Sequence, residues 1–122
     1  MISIYGLKNC DACRAALKWL KAEGLDHRFV DVRRDGVDAP EISAWVAALG
    51  WDTLLNRRGT TWRGLSDADK KNVDEGTAVS LMMAHPSLIK RPVFHANGTY
   101  LVGFKDDQKA ALAAGQRGLE RL

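Results

Sequence analysis

Ile2-Ser3-Ile4-Tyr5-Gly6-Leu7-Lys8-Asn9-Cys10-Asp11-Ala12-Cys13 runs from β-prone residues through a glycine into a pair of cysteines. Residues 2–5, bounded by Gly6, suit a short strand. Over residues 12–23 the apolar Ala15, Ala16, Trp19 and Leu20 recur with helical spacing, while Lys18 and Lys21 lie on another face. Gly24 is a natural helix stop. Residues 27–32 return to strand-like composition around Phe29 and Val30. The opening therefore reads as strand, helix, strand, with both cysteines at the first strand-to-helix corner.

Working outward, Arg33-Arg34-Asp35-Gly36 is a polar turn, and Pro40 suits the first turn of a helix through residue 48. Ile42, Trp45, Val46 and Leu49 share a face of that helix, and Gly50 ends it. Residues 56–63 break the periodicity and read as a basic loop. Ser66 can cap a further helix with Asp67 and Asp69 in its first turn, and Gly76 separates it from another helical run ending before Pro86. Residues 89–95 form a candidate strand, which Asn97-Gly98 joins to residues 99–102 as a hairpin. A last helix covers residues 106–114. This order is the one expected of a thioredoxin-like α/β domain: a βαβ...ββα core with a helical insertion at about residues 36–86, all within a single domain over residues 1–122.

Composition narrows the function classes. Hydrophobic residues at 46% and charged residues at 27% suit a packed globular domain and exclude a collagen-like fibre or a disulfide-dense miniprotein. Eighteen Lys and Arg against 15 Asp and Glu give +3, too mild to imply a nucleic-acid partner. No window approaches the ~18 consecutive apolar residues that suggest a membrane span. The first lysine is Lys8, so the basic start and apolar run of a secretory signal are missing, and a cytoplasmic location is expected.

The chemistry centres on Cys10-Asp11-Ala12-Cys13. At a helix start, unsatisfied amides and the helix dipole favour a thiolate at Cys10. The dipole contributes only ~0.3–1 kcal/mol, so neighbouring cations must help. Lys8 and Arg14 are candidates, and Asp11 opposes them. Cys13, one turn on, is within disulfide reach and can resolve a mixed disulfide at Cys10. Alternatively both are small core residues. A metal site is disfavoured, since one Cys-x-x-Cys supplies two ligands and His27, His85 and His95 show no zinc-type spacing. Pro92 implies an edge, strand-start or cis conformation. In this fold it lies beside the cysteines, leaving nearby backbone groups for a peptide-like substrate. Arg91 brings a guanidinium suited to a carboxylate or oxyanion. The loop with Arg57, Arg58, Trp62 and Arg63 suits a small anion or plain solvation better than nucleic acid.

Three stretches carry a resemblance to the arsenate reductase-like family (ArsC/Spx/YffB) of thioredoxin-fold proteins, particularly its YffB branch: residues 4–11, residues 50–63 (Gly-Trp-Asp-Thr-Leu-Leu-Asn-Arg-Arg-Gly-Thr-Thr-Trp-Arg) and residues 85–92 (His-Pro-Ser-Leu-Ile-Lys-Arg-Pro). The resemblance implies a glutaredoxin-like core, a nucleophile at Cys10, and an anion-binding Arg91 before a cis Pro92. The Asn-Pro-x-Cys-Gly-Thr-Ser-Arg pattern of arsenate reductases is replaced here by Lys8-Asn9-Cys10-Asp11-Ala12-Cys13-Arg14. The activity implied is a thiol-disulfide oxidoreductase with glutathione as co-substrate and no metal. Its partner is glutathione or a protein or small-molecule disulfide, with Lys8, Arg58 and Arg91 holding carboxylates or an oxyanion. The family implies two alternatives: an Spx-like redox-switched regulator binding the RNA polymerase α-subunit, and an arsenate reductase.

Overall fold

The computed structural model describes residues 1–120, with side chains through residue 115; of the domain expected over 1–122, residues 121 and 122 lie outside the described residues. In chain order the elements are β1 (Ile2–Gly6), α1 (Asp11–Ala22), β2 (His27–Asp31), α2 (Ala39–Leu49), α3 (Trp51–Leu54), α4 (Thr60–Arg63), α5 (Asp67–Lys70), α6 (Glu75–Ala84), a 3-10 turn at Pro86–Leu88, β3 (Val93–Ala96), β4 (Thr99–Val102) and α7 (Asp106–Glu120). They form two compact units: Met1–Asp31 together with the chain from Arg91 onward, and Val32–Lys90.

In the first unit the strands make one mixed sheet in the order β2-β1-β3-β4. β1 runs parallel to β2, from Ile2 opposite His27 to Gly6 opposite Asp31, with α1 as the crossover. β3 is antiparallel to β1, with Ile4 opposite Phe94, and pairs with β4 as a hairpin. Asn97 and Gly98 turn that hairpin at φ 54 and φ 75, the conformation for which the Asn-Gly pair is suited. Ile2 and Ile4 point into a core completed by Ala16 and Leu20 of α1, Phe94, and Leu112 of α7. The buried stripe of α1 is Cys13, Ala16 and Leu20, whereas Ala15, read from sequence as inward, is exposed because it sits off that three- and four-residue spacing. A Schellman closure ends α1: Leu25 N–H donates to the Leu20 carbonyl (3.0 Å) and Gly24 N–H to that of Lys21 (3.1 Å), with Gly24 at φ 66.

The third strand begins later than its apolar sequence suggests. Pro92 cannot donate to a ladder, so regular pairing starts at Val93, and Ile89 instead makes an isolated bridge to Leu55 within the second unit. α7 continues to Glu120, past the residue 114 expected.

The second unit is the inserted helical region. Asp38 caps α2 by accepting the Glu41 N–H (3.0 Å), Pro40 sits in the first turn, and Ile42, Trp45 and Val46 are buried. Residues 60–63, expected as loop, form α4. Ser66 caps α5 through the Asp69 N–H (3.2 Å), as its position suggested. Gly76 lies inside the first turn of α6 instead of before it. A reciprocal capping box starts that helix at Asp74, with Thr77 N–H donating to Asp74 Oδ1 (2.9 Å) and Asp74 N–H to Thr77 Oγ1 (2.8 Å).

Candidate functional site

Strand β1 ends at Gly6, and the chain needs only three residues to reach Cys10, the N-cap of α1. Cys10 is extended (φ -99, ψ 124); its N–H donates to the Leu7 carbonyl (3.2 Å) and its carbonyl accepts the Arg14 N–H (2.9 Å). These bonds fix the sulfur at the helix entrance, half-buried. Cys13, on the inward face of the first turn, is fully buried at 0% exposure. Its thiol lies against Gly6, where a Cβ would overlap Sγ, so the glycine is required by close packing.

The two thiols diverge in acidity. Burial pushes the Cys10 thiol up, but the Cys13 amide and thiol and the Arg91 guanidinium outweigh it, leaving Cys10 below its ordinary value of 9.0. At Cys13 burial dominates and the neighbouring Cys10 sulfur adds to it; the Leu7 N–H and Arg91 only moderate the rise, to about 12. As a neutral thiol Cys10 closes no capping hydrogen bond. Its interactions with the Cys13 N–H, the Cys13 thiol and Arg91 favour the anion.

Arg91 and Pro92 are joined by a cis peptide bond immediately before β3. Pro92 is buried, and its carbonyl accepts the Gly103 N–H (2.9 Å). Thus Cys10, Cys13, Arg91 and Pro92 gather in the first unit. Lys8 contributes its backbone, donating N–H to Asp31 Oδ2 (3.3 Å), while its side chain is exposed. Arg14 pairs with Asp11 at 2.7 Å, both exposed, so this cation and anion offset each other in solvent. Arg58 belongs to the second unit, exposed, with its N–H donating to Asn56 Oδ1 (3.0 Å) and its carbonyl accepting from Arg63 (3.2 Å).

Sequence reasoning missed Asp31. It is 8% exposed and steadies the Leu7-Lys8-Asn9 connection through Lys8; the signal is a carboxylate interrupting the otherwise apolar run Phe29-Val30-Asp31-Val32. Among the described residues no three His, Cys, Asp or Glu side chains gather to hold a metal ion, and no helix is long and apolar enough to cross a membrane.

The ArsC family profile matches residues 5–112. The chain belongs to the ArsC family. An uncharacterized protein of Haemophilus influenzae is 41% identical over 114 residues, spanning 93% of this ArsC-family chain and 100% of its own. The structure of the protein YffB superposes with a TM-score of 0.88 at 44% identity, covering 92% and 98% of the two chains. An arsenate reductase (ArsC) related protein from Brucella melitensis gives 0.72 at 43% identity, covering 90% and 92%. With its mixed four-strand sheet and inserted helices, this ArsC-family chain has a thioredoxin-like fold.

Proposed function

We propose that this ArsC-family protein is a thiol-disulfide oxidoreductase that uses glutathione. The observation that carries the reading is the division between its sulfurs: Cys10 is accessible and favoured as an anion, whereas Cys13 is buried and held protonated. The Cys10 thiolate attacks one sulfur of a disulfide, forms a mixed disulfide and expels the other sulfur as thiolate. A second thiolate then attacks that mixed disulfide and restores Cys10. Arg91 stabilises the anion before attack and offers a guanidinium to a carboxylate of the tripeptide.

Oxidised glutathione tests this reading. A glutathionyl adduct or a disulfide at Cys10, found by mass spectrometry and absent in Cys10→Ser, is the expected result. No reaction at Cys10, even at alkaline pH, overturns it. Arsenate reduction is the second reading, favoured by the family match. Turnover with arsenate, glutathione and glutaredoxin no faster than for Cys10→Ser would end it.

A further inference from the structure

The face of the sheet turned away from the core of the first unit carries a polar row that the proposed thiol chemistry does not use. Ser3 lies between the inward Ile2 and Ile4, so alternation along β1 places it on the opposite face. It stands opposite Arg28 of β2 on one side and His95 of β3 on the other, and His95 stands opposite Tyr100 of β4. Cross-strand partners share a face, so Arg28, Ser3, His95 and Tyr100 form one line across all four strands. The helices α1 and α7 pack on the other face, where they supply Ala16, Leu20 and Leu112.

This line is ordered by its own contacts. Arg28 Nε donates to Ser3 Oγ (3.0 Å), and the His95 and Tyr100 rings stack with centroids 4.2 Å apart, 8° from parallel. Ser3 is 9% exposed, His95 and Tyr100 are half-buried, and Arg28 is exposed. The bond to Ser3 uses Nε, leaving the Nη groups of Arg28 to donate, and Ser3 accepts it with its own hydroxyl proton left to give. An imidazole N–H and a phenol O–H complete a set of donors around one permanent positive charge. The next row along this face, Val30, Tyr5, Val93 and Val102, holds no carboxylate. Asp26, two positions before Arg28, is exposed and precedes β2.

We propose that this row is an anion site that holds a phosphate group, inorganic or as a monoester, above Ser3. Arg28 and His95 flank Ser3 two strand spacings apart, about 9.6 Å between Cα atoms. Arg28 leans inward to reach Ser3, so a tetrahedral oxyanion resting there takes hydrogen bonds of about 2.8 Å from the guanidinium on one side and from the imidazole on the other. A phosphate offers three or more oxygens to donors that come from separate strands, whereas a carboxylate has only two. Tyr100, stacked on His95, sets the plane of that ring. Ser3 stands near the start of β1 and Gly6 at its end, so the site lies at the opposite end of the strand from the turn that leads to Cys10. Binding here is independent of the thiol chemistry.

Inorganic phosphate is titrated into the full-length 15N-labelled chain, and into the same chain carrying Cys10→Ser, with amide and histidine ring signals followed by NMR. Saturable shifts at Ser3, Arg28 and His95, including the His95 ring, are expected in both. Arg28→Gln should weaken binding about tenfold and His95→Phe, which keeps a ring on Tyr100, about fivefold, the effects of losing a charged and a neutral hydrogen bond. Lys18→Gln, an exposed cation on α1, should change nothing. Arg28 is itself exposed, so Arg28→Gln decides the matter even if His95→Phe fails to fold. Phenyl phosphate distinguishes the two sources: binding tighter than that of inorganic phosphate assigns a monoester, and equal binding assigns the free ion. The proposal is overturned if the row does not shift, if Cys10→Ser abolishes the shifts, if Arg28→Gln leaves the affinity unchanged, or if Lys18→Gln weakens it as much. None of these results bears on the oxidoreductase reading, which stands or falls on the glutathione adduct at Cys10.

Discussion

In the first unit Phe94 of β3 clusters with Ile2 and Ile4 of β1, Leu20 of α1 and Leu112 of α7, residues from distant parts of the chain. The second unit fastens several helices from within: Asp38, Ser66 and Asp74 each cap the helix that begins at the next residue. Its core of Trp45, Ile42 and Met82 is added to elements that are already locally specified. Sequence-distant packing concentrates the consequence of one substitution, whereas local capping spreads stability over many small contributions. The reactive sulfurs stand in the unit of the first kind.

The contrast can be tested by removing one piece at a time. Phe94→Ala should cost ~3–5 kcal/mol in chemical denaturation, since it empties the centre of the sheet core. A loss no larger than that of a cap would erase the distinction. Gly6→Ala should cost ~1–3 kcal/mol by overpacking against Cys13, and should also raise the alkylation rate of the displaced Cys13 thiol.

Alkaline pH sharpens the comparison at that same contact. The folded chain keeps the Cys13 proton up to about 12, whereas an unfolded thiol releases it near 9.0, so unfolding releases a proton between those values and stability falls as pH rises through the window. The slope is up to ~1.4 kcal/mol per pH unit, and denaturation of Cys13→Ala should show a shallower decline. At the small end, Asp74→Ala should lower the thermal midpoint more than Ser66→Ala does, because Asp74 belongs to a two-bond box and Ser66 to a single cap.

Much of the first unit was legible because its signals are local. Ile2 to Tyr5 are β-prone and end at a glycine, Gly24 closes α1 in a left-handed conformation, and Asn97-Gly98 dictates the hairpin turn. The misreadings arose where tertiary partners decide. Ile89 has the composition of a strand residue but finds its partner in Leu55. The box at α6 uses Thr77 where a Glu or Gln gives the usual signature, so the sequence offers no start signal ahead of Gly76. At the site, the spacing of Cys10 and Cys13 announced thiol chemistry, but nothing in it distinguished their burial. That depends on Gly6, which comes within reach only when β1 and α1 pack. The cation acting on Cys10 is Arg91, 81 positions along the sequence, while nearby Arg14 is engaged by Asp11.

The bond from Gly103 N–H to the Pro92 carbonyl ties the far end of the hairpin to the residue following Arg91. Gly103 holds φ 92, a conformation a side chain resists. A side chain at Gly103 would therefore strain the bend whose amide holds Pro92, the residue next to Arg91, so that a change distant in sequence from the cysteines is felt at the entrance of β3.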